Sequence, residues 1–165
     1  MNLSVLLFES DHRHGDMFGN FLNGDINKIR TIVQTKLGVL NVKKQDMIVN
    51  RVVKLIEQLG GQQQINQIFA VISGEKPLWF GSKEWLTKLG KTFLFYLLES
   101  GFSYAVKNKH AWIGIPDNVN KLIPLFDKHN GNIPQRDAEF HRTLGLALGY
   151  PEQDVETFIK IHQMV

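Results

Sequence analysis

Two features of the sequence predict a helix-rich α+β domain. Most of the chain carries apolar residues at helical spacing between capping and breaking residues. One segment, 102–115, alternates instead with the period of a β-hairpin. Gly and Pro are scattered as punctuation and no repeat or linker is visible, so residues 1–165 read as a single globular domain of about six helices around a small sheet.

The first run, Leu3 to Phe8, is apolar and ends in a polar, Gly-containing stretch, which fits an N-terminal strand buried on both faces, although its periodicity also admits a helix. Asp25 is placed to cap a helix reaching about Leu37, with Ile26, Ile29, Ile32 and Val33 on one stripe and Gly38 as its stop. Asp46 is the expected cap of the clearest amphipathic helix, whose stripe is Ile48, Val52, Leu55, Ile56 and Leu59 before Gly60-Gly61. A third helix spans Gln62 to Ile72. A fourth helical region opens at Ser82 and runs to Ser100, with Gly90 as its weak point.

The hairpin register follows from the face each residue would occupy. With Asn108-Lys109 as a two-residue turn, Phe102 faces Ile115, Tyr104 faces Ile113 and Val106 faces Ala111, giving one wholly apolar face. The other face then carries Ser103, Ala105, Lys107, His110, Trp112 and Gly114, whereas a three-residue turn would mix polar and apolar partners on both. Beyond it, Asp117 is the expected cap of a helix to about Lys128, and a helix after Pro134 runs to Leu148. Gly149-Tyr150-Pro151 turns the chain into a last helix, Pro151 to His162, that makes an αα-hairpin with its predecessor.

Composition excludes several functional classes. Apolar residues make up 43% of the chain and charged residues 21%, an ordinary balance for a packed fold. The absence of cysteine removes disulfides, thiolate metal sites and a cysteine nucleophile, and makes a reducing, cytoplasmic setting the default expectation. Met1 to Phe8 lacks a basic start and a cleavage site and does not read as a signal peptide. The longest apolar run, Phe93 to Leu98, is far below the roughly 20 residues of a membrane span.

Three places carry residues suited to chemistry or binding. Asp11, His12, His14 and Asp16 follow the first apolar run, and carboxylates with imidazoles are ligand types for divalent metals. This loop resembles the opening metal-ligand segment of the metallophosphoesterase family, but Asp11-x-Arg13 replaces the family's Asp-x-His, and the later Gly-Asp-x-x-Asp and Gly-Asn-His motifs are absent. The family is therefore not assigned. The second place is the block Lys28 to Lys54, with seven basic residues, Lys43, Lys44 and Arg51 among them, against the single acid Asp46. The third is the hairpin face with Lys107, His110 and Trp112, a cation, a titratable ring and a stacking surface, unless a helix covers it.

No nucleotide-binding, hydrolase-elbow or zinc-protease motif is present, and Asp137/His141 and Glu139/Arg142 read as ordinary helix-surface pairs. Three functional classes remain, with no cofactor specified. The foremost is a non-enzymatic interaction or assembly domain, for which Trp79, Phe80, Trp85 and their neighbours would form an exposed apolar patch or a sizeable self-contact, and a twofold homo-oligomer is the base expectation. The alternatives are a nucleic-acid-binding protein using the 28–54 block and a metal-dependent hydrolase using the 11–16 loop.

Overall fold

A computed structural model describes residues 18–162 of the chain. The expected N-terminal strand and the Asp11 to Asp16 loop lie outside the described residues. Within them the chain forms α1 (Ile26–Thr35), α2 (Val42–Glu57), α3 (Gln62–Ile72), β1 (Leu78–Ser82), α4 (Glu84–Leu89), α5 (Lys91–Glu99), β2 (Ser103–Lys107), β3 (His110–Gly114), α6 (Pro116–Lys128), α7 (Ala138–Ala147) and α8 (Glu152–Ile161). The class is α+β as the sequence predicts, but the described residues hold eight helices, not about six, and a three-stranded antiparallel sheet of order β1-β3-β2.

The hairpin has the predicted register: Tyr104 pairs with Ile113, Val106 with Ala111 and Lys107 with His110. Its outer residues Phe102 and Ile115 lie beyond the strands. The new member is β1, which places Trp79 opposite Ile113 and Phe80 opposite Trp112. β3 is thereby the central strand, and its side chains alternate between two apolar cores. Ala111 and Ile113 join Trp79 and the apolar faces of α1 to α5. Trp112 joins Leu78, Phe80 and the apolar faces of α6 to α8. Among the described residues the sheet is a middle layer between five helices on one side and three on the other.

Several boundaries move for identifiable reasons. α1 is capped as expected, the Asp25 carboxylate accepting from the amides of Asn27 and Lys28. α2 begins earlier than Asp46, because Asn41 supplies the cap by accepting from the Lys44 amide. Asp46 thus sits inside the helix, paired at 2.8 Å with Arg30 of α1. The helix also stops at Glu57, leaving Leu59 exposed. α6 likewise starts at Pro116, which needs no amide partner at a first helical position, instead of being capped by Asp117.

The segment Ser82 to Ser100 is two helices. Gly90 separates them at φ 91°, ψ 166°, a region open in practice only to glycine. A Cβ there would also approach Nη1 of Arg51 to 2.9 Å. The two cores meet again at a tight joint. Gly149, at φ 94°, turns α7 toward α8 and packs so closely on Pro77 that a Cβ would come within 2.8 Å of its ring. The buried Lys76 donates to the carbonyl of Leu78 and reaches that of Leu148 at 3.5 Å, tying the entry of β1 to the end of α7.

Gly90→Ala should lower unfolding free energy by about 1–3 kcal/mol, the cost of forcing an L residue into this conformation. Urea denaturation would measure it, and an effect within error of wild type would show that the break tolerates a side chain.

Candidate functional site

The basic block divides once its residues are placed. Lys28 is held at the start of α1, where its ammonium donates to the Phe21 carbonyl and lies 4.1 Å from the centre of the Phe21 ring. Arg30 is neutralised by Asp46. Among the described residues no carboxylate is within ion-pair distance of Lys43, Lys44, Arg51 or Lys54. These four are exposed on α2. With Met47, they fall within about a third of the helix circumference at 3.6 residues per turn. Asp46 and Glu57 project outside this sector.

The amphipathic pattern of α2 dictates that placement. Its stripe of Ile48, Val49, Val52 and Leu55 is buried against neighbouring helices, which turns the cationic positions outward. The break at Gly90 supplies the other wall. Because α4 ends there, the Lys88 carbonyl is free to accept from Nη1 of Arg51 at 3.3 Å. Lys88 lies 4.4 Å above the centre of the Trp85 ring, and Lys91 opens α5 just past the break. Farther along, Lys44 stands 5.9 Å from the ring centre of Tyr96, and Tyr96 meets Phe95 edge to face at 5.3 Å. A seam of cations and aromatic rings therefore runs along α2 beside α4 and α5. Sequence spacing alone locates the α2 cations but not Lys88, Lys91, Phe95 or Tyr96, which reach the seam only through tertiary packing.

The hairpin residues have other neighbours. Lys107 pairs with Asp127 of α6 at 2.8 Å. His110 stacks on Phe80 with ring centres 5.5 Å apart. Trp112 is fully buried, donates from Nε1 to the Val119 carbonyl at 3.0 Å and lies 4.6 Å from Phe126. The helix α6 covers this face. Trp79 and Phe80 form no exposed patch either, since β1 turns one into each core, and Trp85 is half-buried.

His110 and His141 do not converge on one site. His110 touches Phe126, Phe126 touches Phe140 and Phe140 touches His141, so two aromatic rings stand between the imidazoles. No group of three or more His, Asp or Glu among the described residues is arranged to hold a metal ion. Asp11, His12, His14 and Asp16 are not among the described residues. The Asp137/His141 and Glu139/Arg142 pairings read from helical spacing are replaced by others. The Asp137 carboxylate accepts from the Phe140 amide to cap α7 and meets His129 at 3.0 Å, while Arg142 reaches across to Glu156 of α8 in a two-pronged pair.

His141 is the most constrained of these groups, being only 1% exposed. Its Nε2 lies 2.8 Å from the Pro134 carbonyl, which can only accept, so Nε2 carries the hydrogen and Nδ1 is left bare. Nδ1 is buried with no hydrogen-bond partner. Burial therefore pushes the imidazole below its ordinary 6.5, outweighing the opposing pulls of the Pro134 carbonyl and Asp137. Burial shifts His110 in the same direction.

A lowered histidine pKa favours the neutral folded state. Above the unfolded value both states are neutral and the contribution is complete. As pH falls below it, the unfolded chain takes up the proton first and stability is lost until the folded pKa is passed. Unfolding free energy should thus fall between about pH 7.5 and 5.5, by at most about 1.4 kcal/mol per pH unit for this one proton. His141→Gln, which keeps a donor for Pro134 without titrating, should flatten the slope and leave the part due to His110. An unchanged slope in urea titrations across this range would remove His141 as its source.

No protein-family model matches the chain, and neither a curated protein nor a solved structure matches it.

Proposed function

We propose that this protein is a non-enzymatic binding domain that engages nucleic acid through the seam along α2, α4 and α5. The observation that carries this reading is the one-sided exposure of Lys43, Lys44, Arg51 and Lys54 without carboxylate partners among the described residues. Placing like charges side by side disfavours the fold slightly, by tenths of a kcal/mol per pair on an exposed helix. A polyanion laid along the seam converts that repulsion into attraction and releases its own counterions. Lys88 and Lys91 extend the positive surface onto the second wall. Full burial of Trp112 and the pairing of Lys107 with α6 favour this seam over the 102–115 face as the binding surface.

Binding of this kind is strongly salt-dependent, log K falling by about 0.7–0.9 per phosphate neutralised for each decade of salt. Fluorescence anisotropy with labelled nucleic acid should show weakening between low and physiological salt. Replacing Lys43, Lys44 and Arg51 together by Gln should reduce the salt slope by about 2–3 and weaken binding at least about tenfold at low salt. Lys121→Gln, Lys128→Gln and Lys160→Gln together, all exposed and outside the seam, serve as charge-matched controls. Equal losses in the controls, or no binding by wild type at low salt, would remove the reading.

A further inference from the structure

Beside the cations of the seam, α5 exposes aromatic and apolar surface that its position in the fold does not require. Phe95 is 57% exposed and Leu98 49%, one helical turn apart on the outward side, while Phe93 and Leu97 of the same helix are buried. The Phe95 ring is not free to lie anywhere. It stands against Tyr96 at 5.3 Å with the two planes 85° apart, so one ring edge braces the other and leaves aromatic surface open to solvent. Lys44 of α2 stands 5.9 Å from the centre of the Tyr96 ring, and Glu99 follows Leu98 at the end of the helix.

We infer that the seam takes single-stranded nucleic acid in preference to duplex, with a base stacked on Phe95 beside Tyr96 while Lys44 and Arg51 hold neighbouring phosphates. The inference rests on the nucleic-acid reading above and adds the form of the ligand. A duplex keeps its base faces inside the helical stack and offers a protein surface its phosphates and groove edges. An exposed ring beside cations gains nothing from it beyond charge. A single strand presents base faces and phosphates together, and every base has a face to stack, so such contacts are tolerant of sequence. Trp85 is less suited to this role because Lys88 lies over its ring and a Cβ at Gly61 would come within 2.8 Å of its far edge. Charge complementarity selects a nucleic acid over an apolar peptide as the occupant: Lys91 lies one turn before Phe95 on α5, Lys44 stands beside Tyr96, and Arg51 and Lys88 continue the positive seam toward Gly90, outnumbering Glu99 at the end of α5.

The full chain would be titrated at one fixed salt concentration with three probes of matched phosphate number: labelled oligodeoxyadenylate of about 20 nucleotides, mixed-sequence duplex DNA, and inorganic polyphosphate. Wild type should bind the single strand about tenfold or more tightly than the duplex. Phe95→Ala and Phe95→Leu should each lose about fivefold or more on the single strand with little change on duplex or polyphosphate, and Phe95→Trp should restore the preference. Since Phe95 is exposed, these variants should match wild type in urea denaturation, which separates loss of stacking from loss of fold. Equal affinity for duplex, or a Leu variant that binds like wild type, would overturn the stacking inference and leave the basic seam standing. Failure of wild type to bind all three probes would overturn the nucleic-acid reading and this inference with it.

Discussion

The central strand β3 must satisfy two cores at once. Ala111 and Ile113 point to one side of the sheet and Trp112 to the other, all fully buried. A one-residue slip would exchange these faces and force Trp112 into the space shaped around Ile113 and Ala111. Pairing on both edges prevents this, with β2 fixed by the Asn108-Lys109 turn and β1 held at its start by Lys76 and Pro77. The energies agree on what holds the C-terminal helices to the sheet. Truncating a buried tryptophan costs about 3–5 kcal/mol, whereas an exposed ion pair such as Lys107–Asp127 contributes about 0–1. Packing around Trp112 sets the position of α6, and the ion pair follows from it.

The hairpin was legible because its information is local: a two-residue turn at Asn108-Lys109 keeps the apolar and polar faces apart, and a three-residue turn would mix them. β1 was not legible for the converse reason. Its five residues sit between Pro77 and a helix, carry Gly81 near their end, and acquire a partner more than 25 residues away. Trp79 and Phe80, which suggest an exposed patch when read alone, are alternating strand residues feeding opposite cores. Cap positions were legible where the competing residue was absent. Asp25 met no rival, but Asp46 had one in Asn41, whose choice adds more than a turn to α2 and moves Asp46 to a position from which it can neutralise Arg30.

The same distinction governs the candidate site. Helical spacing is enough to put Lys44, Arg51 and Lys54 on one side of α2, because that depends on a single element. It does not say that Lys28 and Arg30 are already engaged, nor that Tyr96, some fifty residues from Lys44, provides the neighbouring ring. The Lys107, His110 and Trp112 surface shows the limit from the other side. Those residues do share a face of the hairpin, and α6 lies on it.

The break at Gly90 links the fold to the seam. A continuous helix from Ser82 to Ser100 would engage the Lys88 carbonyl in its own hydrogen-bond ladder and would direct α5 along the axis of α4. With the chain broken, the end of α4 presents carbonyl oxygen and the negative end of its peptide dipoles to the Arg51 guanidinium, while α5 turns so that Phe93 and Leu97 enter the core and Phe95 is left outside. Arg51 fills the space that a side chain at residue 90 would occupy, so the backbone conformation that glycine permits also makes room for the cation. One residue with no side chain therefore fixes both where the charge of α2 is anchored and which face of α5 stands beside it. The basic and aromatic parts of the seam are coupled through that position, and neither would be placed as it is by the local preferences of its own helix.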